Sequence, residues 1–423
     1  MRRRIGIDVG GTNTDAVLLE EDAVAATVKT PTTADVTTGI TRALAALVER
    51  APTARDAHAV MIGTTHFTNA VVQRRDLGRV AAVRIGLPSG ASLPPFVDWP
   101  EDLADLVRAE VVMLEGGHEF DGRPLVPFDT RGMRAAARRI RDAGIRSVAI
   151  AAVFSPLNAS GEEEAAAILQ EECPDVAVTL SHRLGRIGLL ERENAALLNA
   201  CLIELARTTT RAFSQALRAS GIAAPLYLTQ NDGTVMLAEV AEAYPVYSFA
   251  SGPTNSMRGA AFLSKRDEAL VIDVGGTTTD IGSLRHGFPR EANNVVEIGG
   301  VRTLFRMPDL LSLGLGGGTI VGTAPSLTIG PASVGYRLTE QGIVFGGDVL
   351  TVTDVAVAAG LIDLGDRARV ASLPAALVEG VLARIRAMIE EGVDRMKTDA
   401  GERPLIAVGG GSFLVPARLA GVS

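Results

Sequence analysis

Several residue types are scarce in this 423-residue sequence, and each scarcity excludes something. There are two cysteines, Cys173 and Cys201. That is too few for a disulfide framework, and it fits a reducing cytoplasm, the expected compartment. Cys201 lies in an apolar run with Leu197, Leu198 and Leu202, which predicts a buried packing role. The five histidines (His58, His66, His118, His182, His286) are scattered with no i, i+4 pair, so no zinc site is readable. Basic residues are outnumbered, 41 Lys and Arg against 49 Asp and Glu, which argues against the strongly basic footprint of a nucleic-acid binder. Phosphate ligands stay allowed, because backbone N–H groups and a divalent metal bind them without lysine. No apolar run reaches the roughly 18 residues of a membrane span. The basic start Met1-Arg2-Arg3-Arg4 is followed by no apolar signal region, since Asp8 interrupts it. Neither a membrane nor a nucleic acid is expected as a partner.

Familiar nucleotide and nucleophile signatures are missing too. There is no G-x-x-x-x-G-K-[ST], so this is not a P-loop chain. The run GLGGGT from Gly314 has Thr319 where G-x-G-x-x-G needs its last glycine. Gly410-Gly411-Ser412-Phe413-Leu414 lacks the closing glycine of a nucleophile elbow.

What the chain does have is glycine: 45 residues, about 11% against an average of roughly 7%. With 20 prolines this stays well below the composition of low-complexity disorder, so the glycines belong to particular places in a folded chain. The length suggests two or three domains of about 100–200 residues.

The informative glycines follow strands. Residues 4–9 (RIGIDV) read as a short strand running into Gly10-Gly11-Thr12-Asn13-Thr14-Asp15, with further strands at 16–19 and 24–28. The device returns at 269–274 (ALVIDV), followed by Gly275-Gly276-Thr277-Thr278-Thr279-Asp280 and a strand at 281–284. DVGGTNTD at Asp8 and DVGGTTTD at Asp273 differ at one position, and their separation suits two lobes of one duplicated fold. Paired glycines allow φ > 0 and close approach to a ligand. Successive N–H groups in such a turn make an anion site. Threonine hydroxyls add donors, and the leading aspartate suits Mg²⁺, which needs only one or two carboxylates. One such turn would be a bland hairpin; two near-identical copies after apolar strands point to phosphate.

The sequence resembles the hydantoinase/oxoprolinase family, within the actin-like ATPase superfamily that also holds sugar kinases and heat-shock ATPases. The stretches that carry the likeness run from end to end: IGIDVGGTNTDAVLL from Ile5, IGTTHFTNAVVQR from Ile62, FASGPTNSMRGAAFLS from Phe249, VIDVGGTTTDIG from Val271, GLGGGT from Gly314 and LIAVGGGS from Leu405. The resemblance implies an α/β fold of two actin-like, ribonuclease H-like lobes with a nucleotide cleft between them. It implies an N-terminal lobe over 1–185 and a C-terminal lobe over 186–423, the latter apparently truncated, since relatives continue with an alanine-rich helix. The implied activity is ATP-dependent hydrolysis of a cyclic amide such as a hydantoin or 5-oxoproline, by phosphoryl activation of the amide oxygen. Alternatives are a small-metabolite kinase, a carboxylase subunit, or a non-enzymatic ATPase switch of the reactivating-factor type. ATP and Mg²⁺ are the implied cofactors, and a second B-type subunit or a homo-oligomer is the implied assembly.

Position by position, the resemblance assigns Asp8, Gly10, Gly11, Thr12 and Asn13 to the first phosphate loop. Asp273, Gly275, Gly276, Thr277 and Thr278 form the second. Asp8 and Asp273 would organise the metal and the attacking water, ahead of Asp15 and Asp280. Gly409, Gly410 and Gly411 match the turn that carries the adenosine. Gly316, Gly317 and Gly318 either touch phosphate or shape a loop. Thr64 and Thr65, opening a helix, are candidate substrate contacts, with helix capping as the plainer role. Asn231 and Asp232, before Gly233, and Ser251, before a helix carrying Asn255 and Arg258, are candidates of the same kind. Residues 87–100 (LPSGASLPPFVDWP) read as a loop holding the one tryptophan, Trp99, either a specificity or subunit-contact insertion or plain surface.

Overall fold

The computed structural model describes residues 1–10, 13–31, 36–292, 295–419 and 421–422. Gly11 and Thr12 of the first glycine turn therefore lie outside the described residues. Contacts divide the chain into two compact units. Unit 1 is Met1–Ser251 with Ala292–Met307, and unit 2 is Gly252–Glu291 with Pro308–Ser423.

Among the described residues unit 1 holds two larger sheets and one hairpin, Val296–Ile298 against Val301–Thr303. The first is built from β1 (Arg3–Val9), β2 (Asn13–Glu20), β3 (Ala23–Pro31) and β4 (Ala59–Thr64). The second is built from β5 (Val80–Leu87), β6 (Arg108–Glu115), β7 (Ser147–Ala152) and β8 (Ala177–Leu180); β9 (Leu226–Thr229) and β10 (Val235–Leu237) rejoin the first. The first sheet has the order β10-β9-β4-β1-β2-β3. Within it β1, β2 and β3 are antiparallel neighbours, while β4 runs parallel to β1 and β9 parallel to β4. In β1 the alternation Ile5, Ile7, Val9 turns one face into the core.

The second sheet is wholly parallel, in the order β6-β5-β7-β8. Its central strands are buried almost throughout, all six residues in β7, as expected of parallel strands covered on both faces. The helix Thr130–Asp142 covers it with Met133, Ala136, Ala137 and Ile140, a single stripe at helical spacing. Asp129 caps that helix, accepting the Gly132 N–H at 2.8 Å. The helix Leu189–Ala219 is buried all round from Arg192 to Ile203, because it packs on this sheet on one side and on the helix Val36–Arg50 on another. Cys201 lies there as expected, and burial pushes its thiol up to about 12.

The stretch 88–99 is not the plain surface loop its proline content suggested. Trp99 is only 7% exposed, meets Phe96 edge-on at 4.9 Å, and donates from Nε1 to Asn194 Oδ1 at 2.7 Å. An indole buried with its N–H satisfied pins the loop to the core.

Unit 2 repeats the opening device. It contains β11 (Ala269–Val274), β12 (Thr279–Arg285), β13 (Phe288–Pro289), β14 (Leu310–Leu313), β15 (Thr319–Gly322), β16 (Thr328–Ser333) and β17 (Leu405–Val408). The sheet order is β13-β12-β11-β17, with β14 also on β12, and β15 pairs with β16 in a separate hairpin. As β1 has β2 antiparallel on one side and β4 parallel on the other, so β11 has β12 and β17. The helix Ala375–Met396 buries Val381, Ile385, Ile389 and Val393 in the unit's core.

Candidate functional site

The described residues that flank the two glycine turns pair in the same way. Across the first hairpin Asp8 faces Asp15 and Val9 faces Thr14, and Gly10 N–H donates to Asn13 O at 3.0 Å. Across the second, Asp273 faces Asp280 and Val274 faces Thr279, and Gly275 N–H donates to Thr278 O at 2.8 Å. Thr14 and Thr279 are both fully buried, which anchors each turn at the same point. The duplication read in the sequence is thus a duplication of hydrogen bonds as well as of letters.

In unit 2, three glycine clusters far apart in the chain meet at the second turn. Gly317 and Gly318 donate their N–H groups to Gly275 O at 3.1 Å and Gly276 O at 2.7 Å, and Gly316 N–H goes to Thr319 Oγ1 at 2.7 Å. A Cβ on Gly316 would lie 2.6 Å from Thr277 N, so only glycine fits. Thr353 locks the arrangement, donating from both N and Oγ1 to Gly317 O at 2.9 and 2.8 Å. Of the two roles open to Gly316, Gly317 and Gly318, the loop-shaping one matches this geometry, since all three amides are spent inside the protein. On the other side, Gly411 N–H donates to Val274 O at 2.8 Å, and Gly409 has φ +86° against Asp273. Gly410 has no heavy atom within 4 Å of the place a Cβ would take, so its backbone is open to a ligand.

Each hairpin sets two carboxylates opposite one another on one sheet face, an arrangement that like charges resist unless a cation or proton intervenes. Asp15 pairs with Lys29 Nζ at 3.4 Å. Burial raises the Asp280 carboxyl above its ordinary range; the Ser312 hydroxyl, donated to Oδ1, pulls it back, and the charge of Asp273 adds to the rise. Mg²⁺ needs one or two protein carboxylates and keeps its waters, so either pair fits it. Among the described residues no group of three or more His, Cys, Asp or Glu is placed to hold a metal.

The candidate substrate residues group at the carboxyl edge of the first sheet, where β1, β4 and β9 run parallel. Thr64 ends β4 and is buried, accepting the His66 N–H on Oγ1 at 3.1 Å, a capping role. Thr65 Oγ1 accepts from Asn69 Nδ2 at 3.1 Å. Ser251 Oγ reaches Thr64 O at 3.2 Å, which brings these two together. Asn231 is buried, its N–H on Tyr247 O at 2.7 Å and its amide against Met307 Sδ. Asp232 closes the β9–β10 turn by accepting Thr234 N–H at 2.9 Å and Oγ1 at 2.6 Å. Arg258 caps the Gly287 carbonyl and stacks on Phe288, 3.9 Å from the ring centroid.

Pattern reasoning missed a buried polar network under the second sheet of unit 1. Arg84 and Glu193 form a fully buried pair, Nε to Oε1 at 2.5 Å. Arg192 donates to Ser181 Oγ at 2.9 Å and to the carbonyls of Ala152, Arg186 and Ile187, and burial lowers its guanidinium to about 10. Glu162 is also fully buried. Burial raises its carboxyl, but hydrogen bonds from His182, Ser155, Ser181 and the His182 amide outweigh this and hold it below its ordinary range. The only sequence cue was charge where a core helix should be apolar, Arg192-Glu193-Asn194.

No helix among the described residues is long and apolar enough to cross a membrane. Residues 4–173 match the hydantoinase/oxoprolinase N-terminal region, and residues 192–400 match the hydantoinase/oxoprolinase domain. These regions meet between 173 and 192, whereas the compact units part after Ser251. The chain is 25% identical to caprolactamase subunit alpha of Pseudomonas jessenii, over 99% of this chain and 66% of that protein. It is 26% identical to the acetophenone carboxylase gamma subunit of Aromatoleum aromaticum, over 85% of this chain and 53% of that one. Among solved structures, the ATP-dependent caprolactamase from Pseudomonas jessenii aligns with a TM-score of 0.81 at 23% identity, covering 96% of this chain and 65% of that one. A nucleotide-free acetone carboxylase aligns with a TM-score of 0.69 at 18% identity, covering 97% and 66%. The chain therefore spans between 53% and 66% of the length of these relatives. The likeness shows the fold: the chain shares the α/β fold of these two structures over nearly its whole length.

Proposed function

Since this chain belongs to the hydantoinase/oxoprolinase family, we propose that it binds ATP at its two Asp-x-Gly-Gly-Thr turns and uses it to open a cyclic amide of the hydantoin or 5-oxoproline kind. The observation that carries the ATP reading is the repeated turn, with Gly10 N–H on Asn13 O and Gly275 N–H on Thr278 O. Preformed turns of this kind hold phosphate through positioning and charge, the main requirements of phosphoryl transfer. Asp8 and Asp273 would hold Mg²⁺, which supplies charge neutralisation at the phosphates. The Thr277 and Thr278 hydroxyls would donate to phosphate oxygens, and the open backbone at Gly410 would receive the adenosine.

The amide oxygen would take the γ-phosphoryl group as ADP leaves. Water then adds to the activated ring carbon, the C–N bond breaks with the nitrogen taking a proton, and a second water releases phosphate. A carboxylase reading is supported by the likeness to the acetophenone carboxylase gamma subunit; the same turns would then serve activation of bicarbonate or a ketone oxygen. Relatives named as subunits support a second, unlike chain as partner. The two buried thiols suit the reducing cytoplasm.

The deciding assay is ADP release with a panel of cyclic amides, and separately with ketones plus bicarbonate, each with and without the partner subunit. Amide-dependent ADP release with ring-opened product supports the hydrolase. Release that needs ketone and bicarbonate together overturns it in favour of the carboxylase.

A further inference from the structure

In the wholly parallel sheet of unit 1, with order β6-β5-β7-β8, the order in which strands are added switches sides between β5 and β7. In open sheets of this kind ligands sit outside the carboxyl ends of the strands, near such a switch. Three of the four loops at that edge are tied to one another, and the loop after β5 is held by its own strand. His118 N–H donates to Val153 O at 3.1 Å, Ser155 Oγ and Ser181 Oγ lie 3.5 Å apart, and Arg84 reaches Leu93 O at 3.1 Å. Each loop also leaves a large apolar side chain in solvent: Val97, Phe120, Leu157 and Ile187. Apolar groups around a polar centre are the usual lining of a small-molecule site.

The polar centre is Glu162 with His182. Glu162 Oε1 accepts Ala152 N–H at 3.0 Å and Ser181 Oγ at 2.5 Å; Oε2 accepts His182 N–H at 3.1 Å and lies 2.7 Å from His182 Nδ1. An ionised carboxylate there favours a proton on Nδ1, so that in the neutral imidazole Nε2 is the acceptor. The imidazole is 14% exposed, and among the described residues Nε2 has no hydrogen-bond partner. On the adjoining loop His118 is 8% exposed, and its buried Nδ1 likewise lacks a partner among the described residues. His118 Nδ1 is thus a buried polar atom left without a protein partner, which folded interiors rarely allow. His182 is oriented by the buried Glu162 carboxylate and keeps partial access to solvent.

We infer that this carboxyl edge is a ligand site in which His182 Nε2 accepts a hydrogen bond from the N–H of a neutral small molecule with an apolar body. Glu162 is the positioning residue that fixes the imidazole. Cyclic amides are such molecules, so the site deepens the hydrolase reading by giving the amide its place, and it rests on that reading for the choice of ligand class.

With five histidines in the chain, ¹⁵N-histidine labelling yields five imidazole spin systems, assigned by single His→Gln variants. Hydantoin and 2-pyrrolidinone are added to the full chain without ATP. The expected result is a saturable shift at His182 Nε2 and about tenfold weaker binding in His182→Gln, the loss of one hydrogen bond. Ile187→Ser, at an exposed position that the fold does not need, is expected to weaken binding about threefold through lost apolar contact. A shift that rises linearly with ligand, or an unchanged Kd in both variants, overturns the site. Amide-stimulated ADP release whose KM is unchanged in His182→Gln overturns the site and leaves the hydrolase reading standing. A saturable shift with no amide-stimulated ADP release does the reverse.

Discussion

Gly409 stands so close to Asp273 that a Cβ on it would lie 2.3 Å from Asp273 Oδ1, with the Val274 carbonyl 2.4 Å away. Its φ of +86° also belongs to the left-handed region. Gly409→Ala is therefore expected to cost about 2–4 kcal/mol from strain and overlap together, and to displace Asp273. Gly410→Ala, with open space around it, should stay within about 0.5 kcal/mol. Urea unfolding of the pair measures the contrast; equal midpoints would refute the close packing.

Asp8 and Asp273 head the two turns, and each faces a second carboxylate across its hairpin. Asp8→Asn and Asp273→Asn are each expected to lower ATP turnover by about 100-fold or more, since charge stabilisation dominates phosphoryl transfer. Full substrate-dependent turnover in both variants would remove the site assignment.

Glu162 is held below its ordinary value of 4.5 in the folded chain because its hydrogen bonds outweigh its burial. A depressed carboxylate adds stability that is fully present above the unfolded pKa and is lost as pH falls through the folded one. Wild-type stability should therefore drop from about pH 5 downward. Glu162→Gln should be less stable at pH 7 and should show a shallower drop over that window. Urea midpoints at pH 7, 5 and 4 give the test, and parallel curves for the two proteins would count against it.

Trp99 is the one tryptophan, and its indole is buried and hydrogen-bonded to Asn194. Its fluorescence is expected to be blue-shifted and poorly quenched by iodide, with both properties lost on unfolding. Trp99→Ala should cost about 3–5 kcal/mol, as large-to-small changes in a core do. Red-shifted, readily quenched emission from the native chain would place the loop at the surface instead.

Local hydrogen bonds explain what the sequence determined unaided. The glycine turns close within four residues, Gly10 to Asn13 and Gly275 to Thr278, so their form is written in adjacent letters. The strands beside them and the helix Leu189–Ala219 announce themselves through apolar pattern and length in the same way. Residues whose partners lie far along the chain were decided only by the tertiary structure. Gly317 seals the Gly275 turn, Arg84 meets Glu193 across 109 positions, and Glu162 orients His182 from another element. Each of these is a polar group desolvated by packing, and a buried charge or amide persists only where folding delivers its partner. No local pattern records that delivery, which is why the second turn was readable from the sequence while the residues that clamp it, and the dyad at the other sheet, were not.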